Sequence, residues 1–305
     1  MLNTTRLRIL REIAEHGSIA GAAESLWLTP SAVSQQVASL EREVGMPLLE
    51  RTARSVRLTD AGVRLVEHAE RILADCEAAV ADLEGLRGQV TGTLRVSAFP
   101  TAAQALLVPA LVGLRERFPS LTILATDEEP HEAMPALKAG RLDLVISHEY
   151  SLLPHYSDPG VETSHLLTER MMLIVPASHP KTNGRAVLTD YAAERWIVGR
   201  EATFCRDLVV RAANMAGFEP MIEMQSNDFR VIGSAVRKGL GVALVPRIAD
   251  LRGMDGLSLR ALDDPVVERV IFAAVRKGSS TSPAIAAVID ALSQEGRELA
   301  LLSRR

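Results

Sequence analysis

The chain reads as an α segment followed by an α/β segment: an N-terminal winged helix-turn-helix, one long helix, and a larger domain made of two similar α/β halves. Three observations predict this. Between Ser18 and Arg57, helix-start and helix-stop residues fall at helix-turn-helix spacing. From Leu65 to Leu86, apolar residues recur at alternating steps of four and three without an intervening proline. From Gly92 onward, short apolar runs alternate with longer amphipathic ones, the pattern of strands interleaved with helices. At 305 residues and 47% hydrophobic content, the chain can supply real cores for two or three domains.

The first helix is predicted over Thr4 to Glu15, where Leu7, Ile9, Leu10 and Ile13 share a stripe. Gly17 ends it, and Ser18 offers a capping hydroxyl to a second helix whose small Ala20, Ala22 and Ala23 permit a close crossing. After the turn at Trp27 and Leu28, Thr29 followed by Pro30 starts a third helix: threonine caps, and proline costs nothing at the first helical position. Val33, Val37 and Leu40 form its inward stripe. Ser31, Ser34, Gln35 and Ala38 lie on the opposite face, with Gln36 beside it and no carboxylate until Glu41. Such a face suits the major groove of DNA. A glutamine amide donates and accepts at once, matching the paired edge groups of adenine, so Gln35 is the first choice for reading a base. Gly45 stops the helix, and the stretch through Arg51, Arg54 and Arg57 reads as a hairpin or wing lying along phosphates.

Charge supports this only locally. The whole chain carries a formal net charge of -4, whereas residues 1–58 hold seven arginines against six glutamates. Segregation matters more than the sum, because no acid interrupts the run from Arg51 to Arg57.

The run AAESLWLTPSAVSQQVASLEREVGMPLLERTARSVRLTDAG resembles, motif by motif and without a gap, the N-terminal domain of the LysR-type transcriptional regulators. Thr29, Pro30, Ser31, Ser34, Gln35, Gln36, Arg51, Arg54 and Arg57 are then the expected DNA contacts. Thr59 caps the long helix, predicted to reach about Arg87, and Leu65, Ala69, Ile72, Cys76, Ala79, Leu83 and Leu86 line its seam. In the family this helix pairs with its counterpart from a second subunit, so the resemblance implies a homodimer or homotetramer on an inverted-repeat operator, with RNA polymerase as a further partner.

Beyond Gly92 the expected order is strand Thr93 to Ala98, helix Ala102 to Phe118, strand Leu121 to Ala125, helix His131 to Ala139 and strand Leu142 to Ser147. A similar set follows: strand Trp196 to Val198, helix Cys205 to Ala216, strand Met221 to Gln225, helix Asp228 to Lys238 and strand Val242 to Val245. His165 to Val175 crosses from one half to the other, Val267 to Val275 crosses back, and Ser282 to Leu299 forms a covering helix. LRVSAFPTAAQALLVPAL, ALKAGRLDLVI, MMLIVPASHP and AVRKGLGVALVP stand in family order, so this part resembles the periplasmic-binding-protein-like effector domain of LysR-type regulators. The implied division is residues 1–58 for the head, 59–88 for the linker helix and 89–305 for the effector domain. Within that domain, subdomain I spans about 92–164 and 270–305, and subdomain II spans 165–269.

Ligands of open α/β sheets bind beyond the carboxyl ends of the strands, where helix N-termini meet. Four loops qualify: Ala98 to Thr101, Asp127 to His131, Ala202 to Cys205 and Ser226 to Asp228. The candidate effector residues are Phe99, Pro100, Thr101, Glu128, Glu129, Ser147, His148, Thr203, Phe204, Asn227 and Asp228. Many family members have serine where Phe99 stands, which leaves Thr101 as the nearest hydroxyl. Glu128, Glu129, Glu149 and Asp228 would repel a pure anion, so an amino-acid-like or other cation-bearing metabolite is expected.

Some family members sense peroxide through a cysteine in the second half, and a helix N-terminus would favour a thiolate at Cys205. A regulator acting without any small molecule is the other alternative. Catalysis is not expected, since G-x-S-x-G, Walker and H-E-x-x-H motifs are absent and nothing orients Ser97, His148 and Asp143 as a triad. Two cysteines, Cys76 and Cys205, give neither a disulfide framework nor a metal knuckle, so no metal or cofactor is expected. With no signal-peptide pattern and no membrane-spanning run, the expected compartment is the cytoplasm and no membrane partner is implied.

Overall fold

Local capping dictates the N-terminal head. Helix α1 (Thr4–His16) begins where the Asn3 side chain accepts from the N–H groups of Thr5 and Arg6, and it ends at Gly17 in the left-handed region. Ser18 caps α2 (Ile19–Ser25), and Thr29 caps α3 (Pro30–Val44), which stops at Gly45 with φ 74°. Leu7, Leu10, Ile13, Ala22, Ala23, Val33, Val37 and Leu40 close one core between the three helices. Strands β1 (Leu49–Arg51) and β2 (Val56–Leu58) pair antiparallel as the wing. Glu41, expected only as the first acid of α3, ties that wing down: its carboxylate accepts from the N–H groups of Leu48 and Leu49 at 2.8 and 3.2 Å.

The computed structural model describes residues 2–51, 56–85, 90–181, 186–201, 203–249, 251 and 253–302. Arg54 and Leu86 lie outside them, as does the side chain of Arg51.

Helix α4 (Asp60–Gly85) starts where the Thr59 hydroxyl accepts from Gly62 N at 3.0 Å. Glycine is required at 62 because a Cβ there would lie 2.2 Å from the Leu48 carbonyl oxygen, so the helix can press directly on the wing. The expected seam divides. Ala69 is fully buried in the head's own core, and Leu65 and Ile72 pack against that core, which corrects the assignment of Ala69 to an interface between subunits. Beyond it Cys76, Ala79 and Leu83 of the same stripe, with Val80 beside them, are exposed on this single chain.

In the α/β domain, β3 (Gly92–Ala98) runs parallel between β4 (Leu121–Asp127) and β5 (Leu144–Tyr150). Their crossovers are α5 (Pro100–Ala102), which continues through a π turn at Ala103–Leu107 into α6 (Val108–Arg117), and α7 (Pro130–Ala139). Strand β5 begins and ends later than expected. The backbone still turns at Leu142, Asp143 accepts from Arg95 N at 2.8 Å, and pairing of His148 and Tyr150 with Ile271 and Arg269 carries the strand past Ser147.

Two long antiparallel strands join the halves: β6 (Val161–Pro176) and β12 (Glu268–Arg276). The second half holds β8 (Arg195–Val198), α8 (Phe204–Met215), β9 (Met221–Gln225), α9 (Phe229–Arg237) and β10 (Ala243–Pro246). Strand β11 (Leu257–Asp264) and the short β7 (Ala186–Val187) were not expected. With them one sheet runs through both halves in the order β4-β3-β5-β12-β6-β11-β7, and β10 also pairs with β6. Helix α10 (Pro283–Leu302) covers the first half. It lies so close to β6 that a Cβ on Gly296 would sit 2.2 Å from the Leu166 carbonyl oxygen. The long helix α4 touches this domain where Arg141, just after α7, lies 3.9 Å from its Glu70.

Candidate functional site

A cleft opens between the two halves, bounded by the start of α5 and the end of β5 on one side and by the starts of α8 and α9 on the other. Phe99, Pro100, Thr101, Glu129 and His148 line it from the first half; Thr203, Phe204, Cys205, Ser226 and Asn227 line it from the second. One lining residue, Arg269, belongs to a buried cross-strand row. Tyr150 of β5, Arg269 of β12 and Glu169 of β6 are direct register partners, which places their side chains on one face of the sheet.

Arg269 is 1% exposed, and its guanidinium meets the Glu169 carboxylate at 2.5 Å. It also donates to the Thr101 hydroxyl at 3.3 Å and lies 5.0 Å from the centre of the Phe99 ring. Burial alone would lower the pKa of Arg269, but the charge of Glu169 more than offsets that and raises it. Glu169 accepts in addition from Ile248 N at 2.8 Å, so this buried pair is well satisfied.

His148 is the opposite case. Only 5% of it is exposed, and neither ring nitrogen has a hydrogen-bond partner. Burial first, and the positive charge of Arg269 second, hold it well below the usual imidazole range, so it is neutral. Phe99, Tyr150 and Phe204 present their rings edge-on to it, with centroids at 4.4, 5.1 and 5.8 Å.

The head shows a different kind of surface. Ser31 and Gln35 are exposed on α3, Thr29 accepts from Ala32 N at 3.2 Å as its cap, and Arg57 is exposed on β2. Trp27, 94% exposed and at φ 56°, stands in the turn just before α3.

Comparison with known proteins gives this pairing of head and cleft its context. Residues 4–63 match the family model described as bacterial regulatory helix-turn-helix protein, lysR family, and residues 87–297 match the LysR substrate binding domain. The chain belongs to the LysR family. It is similar to a probable HTH-type transcriptional regulator LrrA of Synechococcus elongatus, 28% identical over 98% of this chain and 99% of that one. It is also similar to a probable RuBisCO transcriptional regulator of Trichormus variabilis, 31% identical over 88% of this chain and 80% of the relative. Among solved structures, a full-length OxyR variant from Pseudomonas aeruginosa superposes with a TM-score of 0.76 at 24% identity, covering 96% of this chain and 95% of that chain. Full-length CbnR complexed with its target DNA gives 0.64 at 25% identity, covering 96% and 100%.

In this LysR-family chain the structure gathers eight of the expected effector residues into one cleft: Phe99, Pro100, Thr101, Glu129, His148, Thr203, Phe204 and Asn227. Three others fall elsewhere. Glu128 accepts from the Thr126 hydroxyl outside the cleft. Ser147 alternates with His148 along β5 and so faces the α7 side of the sheet together with Val145. Asp228 is occupied in capping α9, accepting from Arg230 and Val231 N–H. Glu149, also offered as a cation partner, accepts from Tyr156 N and pairs with His155. Within the cleft, Thr203 donates to the Arg200 carbonyl and Asn227 accepts from Arg200 N, so both hold the loop. In the head, Gln36 turns aside, its carbonyl accepting from Arg6 Nε at 3.0 Å.

Arg269 and Glu169 were missed. They lie 100 residues apart on strands whose register only the sheet sets, and the one available signal was an arginine and a glutamate inside otherwise apolar crossing strands. Cys205 departs from expectation too. Burial pushes its thiol up rather than down, and the thiol lies 2.9 Å from the Tyr150 hydroxyl. No relay of Ser97, His148 and Asp143 forms: His148 has no partner, while Asp143 binds Arg95 and Arg276.

Proposed function

We propose that this LysR-family regulator reads an inverted-repeat operator through paired heads and that a small-molecule effector, bound in the cleft described above, controls the outcome. The observation that carries the reading is the cleft itself, lined from both halves and holding a buried histidine that the protein leaves unmatched. Gln35 reads a base edge, Arg57 contacts phosphate, and the exposed Val80 and Leu83 of α4 meet a second subunit. Effector-domain contacts then assemble dimers into a tetramer that engages RNA polymerase. Closure of the two halves on the ligand changes the angle between heads and hence the bend of the DNA. Of the acids that favoured an amino-bearing effector, only Glu129 lines the cleft, and that preference rests on it alone.

A thermal-shift screen of metabolites on the full-length protein tests this, because a ligand that binds only the folded form raises the melting temperature. A hit is expected to change the DNA bend measured by electrophoretic mobility. Absence of any stabilising metabolite, or an identical bend with and without one, would favour a regulator that acts by occupancy. Oxidation sensing gains nothing from the geometry: burial favours the protonated Cys205 thiol, and Cys76 lies away on α4, outside the cleft lining.

A further inference from the structure

Most polar side chains of the cleft already serve the protein; the exceptions are the Glu129 carboxylate and His148. Thr203 and Asn227 serve the loop at Arg200, the Ser226 hydroxyl accepts from Asp228 N, and Cys205 shares a hydrogen with Tyr150. Arg269 offers no open charge, because Glu169 faces it at 2.5 Å and Thr101 takes a further donor. Of the two exceptions, His148 is the buried one. An imidazole always carries one donor and one acceptor when neutral, and here both nitrogens lie buried at the cleft without a partner. Native proteins rarely leave such a group unmatched without a functional reason.

The surroundings restrict what can match it. An anionic end beside His148 would find the Arg269 guanidinium already matched by Glu169 and the imidazole uncharged, and a cationic end would find the Glu169 carboxylate likewise taken. Phe99 and Phe204, both in the cleft lining, stand edge-on to His148 with interplanar angles of 67° and 83°. Val198, Val209, Ile232 and Leu244 supply apolar walls beyond them. Aromatic edges and apolar walls favour a flat ring over a bulky aliphatic group.

We propose that the inner end of the effector is a flat, uncharged ring bearing one hydrogen-bonding group, a phenolic hydroxyl or a heteroaromatic N–H, and that His148 is the residue that selects it. This rests on the reading that the cleft is the effector site. Phe204, 43% exposed, stands at the mouth, and the ring passes it to reach His148.

The test uses the full-length protein with phenol, toluene and cyclohexanol as probes, followed by ligand-observed NMR. Phenol is expected to bind at least roughly tenfold more tightly than either of the others, since toluene lacks the hydrogen bond the site is built around and cyclohexanol lacks the flat ring. In His148→Leu that preference disappears while toluene still binds. Without ligand, His148→Leu and His148→Phe are expected to melt at the wild-type temperature or roughly 2–4 °C above it, because an unmatched polar group has been removed.

Three results would overturn the assignment: equal or undetectable binding of all three probes, a phenol preference that survives in His148→Leu, or a clear fall in melting temperature in both variants, which would show a structural partner such as an enclosed water. Phe204→Arg, which blocks the mouth, separates this proposal from the reading beneath it. An effector from the metabolite screen that Phe204→Arg excludes but His148→Leu still binds leaves the cleft reading standing and ends this one. An effector indifferent to both ends the two together.

Discussion

The head and the cleft use polar groups in opposite ways. In the head, the side chains of Asn3, Ser18 and Thr29 each serve a backbone N–H two or three residues away, and Glu41 reaches only to Leu48 and Leu49. In the cleft, beside short loop contacts such as Thr203 to Arg200, others are of another order: 55 residues from Tyr150 to Cys205, 100 from Arg269 to Glu169 and 168 from Arg269 to Thr101. Local satisfaction produces a rigid unit whose exposed groups face outward to a fixed partner. Satisfaction across strands produces a row that holds only while the two halves stay in register, and beside it the buried His148 has no hydrogen-bond partner among the described residues. Rigidity and unmet polarity are therefore distributed according to how far along the chain each contact reaches.

Breaking the long-range row should have the largest effect. Arg269→Met strands the Glu169 carboxylate in the interior and is expected to cost about 3–5 kcal/mol in urea unfolding, while adding Glu169→Leu should restore most of it. Full loss persisting in the double variant would mean that packing, not the lone charge, dominates.

In the head, Gln35→Ala should lose roughly 1–3 kcal/mol on the operator and little on random duplex. Arg57→Ala should weaken both and reduce the salt slope by about one. Equal losses on every sequence from both variants would remove the division between base and phosphate contacts.

Gly62→Ala sharpens the point about local packing. The methyl improves helix propensity but meets the Leu48 carbonyl oxygen, for a net loss of about 1–2 kcal/mol in the stability of the full chain, read by thermal or urea unfolding. A gain in stability would show that α4 can lift from the wing at little cost.

The smallest effect concerns Glu129. Burial raises its pKa, against the charges of His131 and Arg269, so the folded state takes up a proton more readily than the unfolded chain. The associated stability is present at low pH and lost as pH rises through the raised value. Glu129→Gln should therefore melt like the wild type below about pH 4 and slightly above it near neutral pH. Identical melting curves across the range would place the carboxyl in a more hydrated setting than its cleft position implies.

How much of this was legible follows from the same contrast. Caps such as Thr29 with Pro30, the left-handed glycines 17 and 45, and the inward stripe of α3 are short-range signals, and each stands where the residues placed it. The βαβ order was legible because helix and strand periods differ within a few residues. The end of β5 was not: pairing with β12, which sets Ile271 opposite His148 and Arg269 opposite Tyr150, carries the strand past Ser147. Seam spacing showed a stripe along α4, yet spacing carries no depth, so only packing against α1 revealed that Ala69 belongs to the head itself.

By itself, then, the residue order determined the winged helix-turn-helix, the long helix, the alternation of strands and helices, and the loops where a ligand could bind, since each depends on neighbours within about one or two turns. Only the tertiary structure decided which loop residues share a cleft, that Tyr150, Arg269 and Glu169 form a buried row beside it, and that His148 goes unmatched there. Those facts depend on strand register, and register is set by the whole sheet, not by any one strand.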